Sequence, residues 1–239
     1  MRKDRSLFIP VILGTPRKGR LSEHVARIVL GELSGRRQVE TELIDIRCLH
    51  LPTDDAGENI KDAGFSAAVT RADALVIVAP EYNHGYPGLL KHVLDTNLKE
   101  YIHKAVGICG VSAGAFGGTR VIESLLPVMR ELGLVTIFWD LNFSGVQKLF
   151  DESGRLLDPA YLRRIEKLLN ELIWMATVLK YGRENIVLES GERKMICPHC
   201  AAQMNLHAEK VDLGAVVPET TVSLHTCPEC GQIEARSVP

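Results

Sequence analysis

Short continuous apolar runs alternate along the chain with longer amphipathic segments. The runs are typical of strands buried on both faces of a parallel sheet, and the amphipathic segments repeat apolar residues at helical spacing. Strands are predicted at residues 7–13, 39–46, 74–79, 105–111 and 135–139. Helices are predicted at residues 60–72, 88–98, 119–132 and 159–181, and after Ser22 as an N-cap.

This alternation predicts a doubly wound α/β domain with a five-stranded parallel sheet, and a flavodoxin-like strand order is preferred. In such a sheet, ligands bind beyond the carboxyl ends of the strands, near the point where the strand order reverses. Three unusual loops follow the first, third and fourth strands, at residues 14–22, 80–95 and 111–120. We therefore expect them to meet at one crevice.

The first loop, GTPRKGRLS, joins a buried strand to a helix start, where backbone N–H groups and the helix dipole favour an anion. A Walker A motif is excluded because Arg20 and Leu21 stand where Lys and a hydroxyl are needed. A dinucleotide fingerprint is disfavoured because only Gly14 and Gly19 are available. The hydroxyls and cations that remain suit a single terminal phosphate: Thr15, Arg17, Lys18 and Ser22. A solvated loop without a ligand is the alternative.

The other two loops suit a flat ligand. In PEYNHGYPGLLKHVLD, residues 80–83 can present backbone N–H groups and the Tyr82 ring. In VSAGAFGGTR, Gly114, Gly117 and Gly118 allow the backbone to approach a ligand closely. Tight turns with nothing bound are the alternative for both loops.

These loops together resemble the NADPH-dependent FMN reductase family. The resemblance rests on GTPRKG, on PEYN with PGLLK and Asp95, and on SAG with GG and Arg120, and it covers about residues 7–180. It implies that the first loop holds the FMN phosphate, that residues 80–83 line the isoalloxazine ring and ribityl chain, and that residues 112–118 meet the polar edge of the ring. The predicted cofactor-binding residues are Thr15, Arg17, Lys18, Ser22, Pro80, Glu81, Tyr82, Asn83, Ser112, Ala113, Gly114, Gly117 and Gly118.

The resemblance also implies an oxidoreductase that passes a hydride from NADPH or NADH through FMN to a small-molecule acceptor, such as free flavin, a quinone, an azo compound or a metal oxyanion. Because the flavin carries this chemistry, no catalytic side chain is predicted. A homodimer or homotetramer is implied, with Leu89, Leu90, Val93 and Leu94 as a candidate contact face unless they belong to the core. The alternative function is a flavin-binding electron carrier or regulatory protein. Carriers tend to be strongly acidic, and a net charge of −2 disfavours one.

Two CxxC pairs, Cys197 with Cys200 and Cys227 with Cys230, are separated by 26 residues. Four thiolates aimed at one point form a closed tetrahedral zinc site. The segments MNLHAEKV and TTVSLHT between them alternate like strands, which predicts a small β zinc ribbon over residues 191–239, after an FMN-binding domain over residues 1–185. A redox CxxC is the alternative, although neither pair opens a helix. Under the alternative function this ribbon docks a protein or nucleic-acid partner.

Charge and composition bear on the partners and the cellular location of the protein. A net charge of −2 and a pI near 6.5 give no general attraction to nucleic acid or to a membrane. No segment has the length of a transmembrane helix, and the N-terminus enters the first strand without a signal-peptide cleavage site. We therefore expect a cytoplasmic location, where the six cysteines are metal ligands or buried thiols rather than disulfides.

Overall fold

The computed structural model describes residues 6–54, 57–186, 197–202, 205–212 and 221–237. The chain divides into two compact units, Met1–Ile186 and Val187–Pro239. In the described residues, no helix combines the length and the apolar character that a membrane span requires.

The first unit is built on parallel strands. These are β1 Leu7–Phe8, β2 Val11–Leu13, β3 Val39–Glu40, β4 Leu43–Asp45, β5 Ala74–Pro80, β6 Lys104–Val111, β7 Leu134–Thr136 and β8 Leu141–Phe143. The main sheet has the order β4-β2-β5-β6-β7, β8 also pairs with β6, and β1 pairs with β3. With β1–β2, β3–β4 and β7–β8 each taken as one interrupted strand, the order is second, first, third, fourth, fifth. The flavodoxin-like prediction is confirmed.

Helices cover both faces of this sheet. They are α1 Ser22–Ser34, α2 Ala63–Arg71, α3 Gly88–Asp95, α4 Thr119–Glu131 and α5 Ala160–Asn185. Strand β5 is buried at every position, so its side chains alternate between the two helical layers. Val76 and Val78 pack in the layer of α1 and α5, whereas Leu75 and Ile77 pack in the layer of α2, α3 and α4.

Several predicted boundaries differ from the structure. Ser22 is the first residue of α1 and Leu21 is its N-cap, so the predicted N-cap is wrong by one position. Helix α3 ends at Asp95 rather than residue 98. Its residues Leu90, Val93 and Leu94 are fully buried in the core. The core interpretation of that apolar stretch is therefore correct for these three residues, and they form no contact face for a second chain.

The fifth strand is wrong in its predicted extent, because it is interrupted after Thr136 and resumes at Leu141. Thr136 pairs with Val106, and Leu141 pairs with Cys109. Between these two pairs the fifth strand has four residues, whereas β6 has two. The two extra residues form a bulge that turns Phe138 outward, with 82% of it exposed. A continuous apolar run could not reveal this register change.

The described residues of the second unit form three antiparallel strands, β9 Asn205–Asp212, β10 Thr221–Thr226 and β11 Ile233–Ser237, in the order β11-β10-β9. Buried Cys197 and Cys227 form its small described core. The predicted small β element with clustered cysteines is present.

Candidate functional site

The three loops singled out in the sequence follow β2, β5 and β6, and the loop after β5 contacts the loop after β2 on one side and the end of β6 and the start of α4 on the other. Thr15 Oγ1 of the first loop lies 2.9 Å from Tyr82 Oη of the second. The Arg17 guanidinium carbon lies 3.6 Å from the centroid of the Tyr82 ring. Glu81 of the second loop forms an ion pair of 3.3 Å with Arg120, which follows the third loop. The structure thus brings the predicted residues of all three loops to one edge of the sheet.

In the first loop, the four candidate side chains have different environments. Thr15 is fully buried, and Ser22 is 2% exposed. Ser22 Oγ has no hydrogen-bond partner among the described residues. Arg17 and Lys18 are exposed. Two buried hydroxyls and two exposed cations therefore flank the start of α1, where the helix dipole favours an anion.

Arg20, unlike Arg17 and Lys18, has a buried side chain that makes structural contacts. Its side chain is 3% exposed and pairs with Asp45 and Glu23, and it also donates to the Thr15 carbonyl. Although burial opposes both shifts, the hydrogen bonds and charges within the Arg20–Asp45 pair raise the pKa of Arg20 and lower that of Asp45. Arg20 is thus committed to the loop backbone and to carboxylates.

Sequence reasoning missed Arg47, which follows β4 and also contacts the first loop. Its Nε donates to the Pro16 carbonyl at 2.9 Å, and its Nη2 donates to the Arg17 carbonyl at 2.6 Å. Strand β4 lies beside β2 in the sheet. The predicted strand order therefore contained the signal, since it places the end of the second strand beside the end of the first.

In the second loop, Tyr82 and Gly85 exchange backbone hydrogen bonds of 2.9 and 3.0 Å. The two residues between them, Asn83 and His84, have positive φ angles of 50° and 68°. Such a turn has the geometry of a tight hairpin. Glu81 N donates to the Val111 carbonyl, which fixes the strand end, and Glu81 Oε2 is buried without a partner in the described part of the chain. Pro80 ends the buried strand β5.

The structure gives the glycines of the third loop separate roles. A Cβ on Gly118 would lie 2.5 Å from Val111 N, and one on Gly117 would lie 2.7 Å from Ser144 Oγ. Both residues have positive φ angles. These two glycines are therefore required by the protein's own packing. Around Gly114 there is open space, since the nearest atom to its Cβ position is 4.0 Å away.

The segment after β8, which sequence reasoning did not assign to the site, braces this third loop. Val146 N donates to the Ser112 carbonyl, and Gln147 Nε2 donates to the Ala113 carbonyl at 3.2 Å. With these carbonyls engaged, the loop backbone is fixed before any ligand binds. An unpartnered buried hydroxyl, two exposed cations and a rigid glycine loop fit the phosphate-bearing flat ligand that the sequence implied.

A second candidate site lies in the C-terminal unit. The four sulfur atoms of Cys197, Cys200, Cys227 and Cys230 lie within 4.8 Å of one another. Three of the Sγ–Sγ distances are 3.4, 3.6 and 3.7 Å. Tetrahedral zinc with Zn–S bonds of about 2.3 Å places its sulfur ligands about 3.8 Å apart. The spacing of the cluster therefore matches a four-thiolate metal centre.

Two similar turns shape this cluster. Ala201 N donates to the Cys197 carbonyl, and Gly231 N donates to the Cys227 carbonyl. Ala201 and Gly231 both have positive φ angles, of 59° and 74°. Against the effect of burial, N–H groups of residues 229 and 230 lower the pKa of Cys227 to about 7. Although backbone N–H groups of residues 202 and 232 oppose the shift, hydrogen bonds with the other thiols raise the pKa of Cys200 and Cys230. A metal ion that binds all four sulfur atoms must therefore displace protons.

Comparisons with known proteins match residues 8–145 to the family described as NADPH-dependent FMN reductase. An NADPH azoreductase of Bacillus sp. (strain OY1-2) is 32% identical over 48% of this chain and 64% of that protein, so the alignment spans less than two thirds of the relative. A quinone reductase of Pseudomonas putida is 28% identical over 63% of this chain and 84% of that protein.

Among solved structures, the flavoenzyme NAD(P)H:(acceptor) oxidoreductase from Paracoccus denitrificans superposes with a TM-score of 0.57. It is 22% identical, and the match covers 72% of this chain and 98% of that one. At this identity the match supports the fold.

Proposed function

The chain belongs to the NADPH-dependent FMN reductase family, and on that premise we propose that it is an oxidoreductase that passes a hydride from NADPH or NADH, through FMN, to a quinone or an azo compound. The observation that carries the proposal lies at the carboxyl edge of the sheet. There the loop after β5 contacts the loop after β2, through Tyr82 with Thr15 and Arg17, and the start of α4, through Glu81 with Arg120. Bound FMN supplies the hydride chemistry.

The residues of this chain bind and orient the cofactor. The exposed cations Arg17 and Lys18, with the hydroxyls of Thr15 and Ser22, hold its phosphate. Residues 80–83 line the ring and ribityl chain. The backbone N–H of Ser112 donates to the Phe143 carbonyl, which rules it out as a donor to the ligand. The N–H groups of Ala113 and Gly114, with Gly117 and Gly118 shaping the loop, face the polar edge of the ring and stabilise negative charge that develops there. No side-chain acid or base is required.

The experiment that tests this function is turnover. FMN-loaded protein is mixed anaerobically with NADPH or NADH in four parallel reactions, containing a quinone, an azo dye, free flavin or a metal oxyanion. We expect rapid nicotinamide oxidation that depends on the quinone or the azo dye. Tight FMN binding without nicotinamide oxidation would contradict an enzyme and favour a flavin-binding carrier or regulatory protein.

We further propose that the cysteine cluster holds one structural zinc ion in a ribbon over residues 191–239, separate from the FMN-binding domain over residues 1–185. The sulfur spacing and the two matching turns support zinc. Four thiolates leave no open coordination position, so the ion takes no part in electron transfer. Under the carrier hypothesis, the same ribbon would dock a protein or nucleic-acid partner.

A homodimer or homotetramer in the reducing cytoplasm is also part of the proposal. Phe138 and Trp139 expose 82% and 44% of their surfaces on the bulge, and large exposed apolar surface marks interaction sites. In a reducing compartment, cysteines serve as metal ligands or buried thiols, as proposed for the four clustered cysteines. Sedimentation velocity on the wild type and on Phe138→Asp measures the assembly, and a monomer at micromolar concentration in both would contradict it.

A further inference from the structure

Two arginines from different elements hold the carbonyl side of the first loop. Arg20, just before α1, donates to the Thr15 carbonyl. Arg47, after β4, donates to the next two carbonyls, those of Pro16 at 2.9 Å and Arg17 at 2.6 Å. Three consecutive carbonyl groups therefore point toward guanidinium groups of the protein.

This arrangement determines where the loop's N–H groups point. In a planar trans peptide, the C=O and the N–H of the following residue point in opposite directions. Because Arg47 binds the carbonyls of Pro16 and Arg17, the N–H groups of Arg17 and Lys18 point to the opposite side of the loop. The Arg17 N–H makes a long contact of 3.4 Å with Thr15 Oγ1. The Lys18 N–H has no acceptor among the described residues.

Asp45 ties the two arginines together. Its Oδ1 accepts from Arg20 Nη1 at 2.9 Å and from the Arg47 backbone N–H at 3.0 Å. Glu23 Oε2 accepts two longer hydrogen bonds, both of 3.4 Å, from Nε and Nη2 of Arg20. With its charge balanced by two carboxylates, Arg20 has no donor left for a ligand anion. Its place in the loop is therefore structural, in contrast to that of exposed Arg17.

We propose that Arg20 and Arg47 are positioning residues that orient the amides of the first loop toward the phosphate of FMN. The proposal rests on the proposed FMN site and deepens it, because it assigns the preference for a phosphorylated flavin to two side chains that do not touch the ligand. Charge-assisted bonds to carbonyls are strong enough to fix the peptide planes. The fork of Arg47 presents two different nitrogens, Nε and Nη2, to the two carbonyls in a fixed geometry, whereas a lysine offers a single nitrogen on a flexible stem.

The test compares the dissociation constants of FMN and riboflavin, which differ only in the phosphate. Flavin fluorescence titrations are run on the wild type, Arg47→Met, Arg47→Lys and Asp45→Asn. Arg163→Met, an exposed arginine on α5, is the matched control. We expect Arg47→Met to reduce the preference for FMN over riboflavin at least fivefold. Arg47→Lys should retain part of it, Asp45→Asn should reduce it, and Arg163→Met should leave it unchanged.

A general structural defect would weaken both flavins equally, so a changed ratio places the effect at the phosphate. A direct contact between the exposed Arg47 cation and phosphate would also lower the ratio in Arg47→Met, but it would keep or raise the ratio in Asp45→Asn, which removes an anion. A lowered ratio in Asp45→Asn therefore isolates the positioning role. The amide signal of Lys18 gives a second readout, because inorganic phosphate should shift it in the wild type and much less in Arg47→Met. If the wild type prefers FMN and the Asp45→Asn variant keeps the full preference, the positioning role is wrong while the FMN site stands, whether or not Arg47→Met lowers the preference. If the wild type binds both flavins equally, the phosphate site itself is wrong.

Discussion

The hydroxyl oxygens of Thr15 and Tyr82 lie 2.9 Å apart, although 67 residues separate them in the chain. Above the same tyrosine ring, the Arg17 guanidinium stacks at 3.6 Å. Stacking occupies the face of the guanidinium and leaves the N–H groups in its plane for an anion. Tyr82 thus holds the proposed phosphate-binding cation in place while joining the loops after β2 and β5.

The first prediction concerns that cation. Arg17→Ala should weaken FMN binding at least tenfold and riboflavin binding less than twofold, because only FMN carries the phosphate that the guanidinium pairs with. Fluorescence titration of both flavins measures the two constants. Arg37→Ala, another exposed arginine, serves as the control. Equal losses for the two flavins would show that Arg17 supports the loop and does not bind phosphate.

The second prediction separates the glycines of the third loop. Gly118 has a φ angle of +82°, and its Cβ would lie 2.5 Å from Val111 N. Gly118→Ala should therefore lower the free energy of unfolding by about 3 kcal/mol. Gly114→Ala, where space is open, should change it by less than about 1 kcal/mol. Urea denaturation measures the free energy of unfolding of both variants. Equal effects would refute the claim that the protein's own packing requires glycine at position 118.

Much of the fold could be predicted because a buried parallel strand is visible in the sequence as a short run of consecutive apolar residues. The run from Ala74 to Ala79 is apolar on both faces, and the structure buries every residue of β5. The loops followed from the same logic, since strand order alone brings residues 15, 82 and 112 to one edge of the sheet.

The remaining features depend on register and on long-range contacts, which no local pattern encodes. The bulge between Thr136 and Leu141 reflects a pairing register with β6. The contact of Arg47 with the first loop joins residues about 30 positions apart in the chain. Its acceptors are backbone carbonyls, which every residue carries, so no residue type in the sequence marks them. For the same reason, Gly117 and Gly118 suggested ligand contact from sequence, whereas the structure shows their packing against the protein's own atoms.

A third prediction concerns the anchor of the long helix α5. Buried Asp73 accepts from Lys180 at 2.9 Å, from Arg183 at 2.8 Å and from the Phe8 backbone N–H at 3.1 Å. Asp73→Asn leaves two partly buried cations without their counter-charge, which should cost about 3 kcal/mol of unfolding free energy. Glu152→Gln, an exposed carboxylate, is the control. Equal stability of the two variants in thermal melts would show that the pairs contribute nothing.

The fourth prediction is a pH dependence. Lys104 donates to the carbonyls of Val69 and Thr70, and burial, followed by the charge of Arg183, lowers its pKa to about 8. An unfolded lysine has a pKa of about 10.4, so between these values the unfolded chain binds more protons. Stability contributed by Lys104 should therefore increase as the pH rises from 8 to about 10.4, by up to about 3 kcal/mol.

Lys104→Met removes this titration and keeps the stem's packing. Other buried groups titrate in the same range, so the measured quantity is the difference in unfolding free energy between wild type and variant at pH 7 and pH 10. The unfolding free energy of the wild type, relative to that of the variant, should be higher at pH 10 than at pH 7. Parallel profiles would mean that Lys104 keeps an ordinary pKa in the folded protein.

The last prediction concerns the four cysteines. If Cys197, Cys200, Cys227 and Cys230 share one ion, the protein should contain about one zinc per chain, and cadmium should replace it with a thiolate charge-transfer band in the ultraviolet. Chelation or Cys227→Ser should unfold the described C-terminal strands, because the core that the described residues of this unit form consists of two of the proposed metal ligands, with Ala202 packed against them. Flavin binding and nicotinamide oxidation should persist, since the α/β unit buries its own core in two helical layers. Cys48→Ser, an exposed cysteine of the first unit, is the matched control and should change none of these readouts. Loss of nicotinamide oxidation on chelation, with FMN still bound, would mean that the metal supports the active site and that the two units do not act independently.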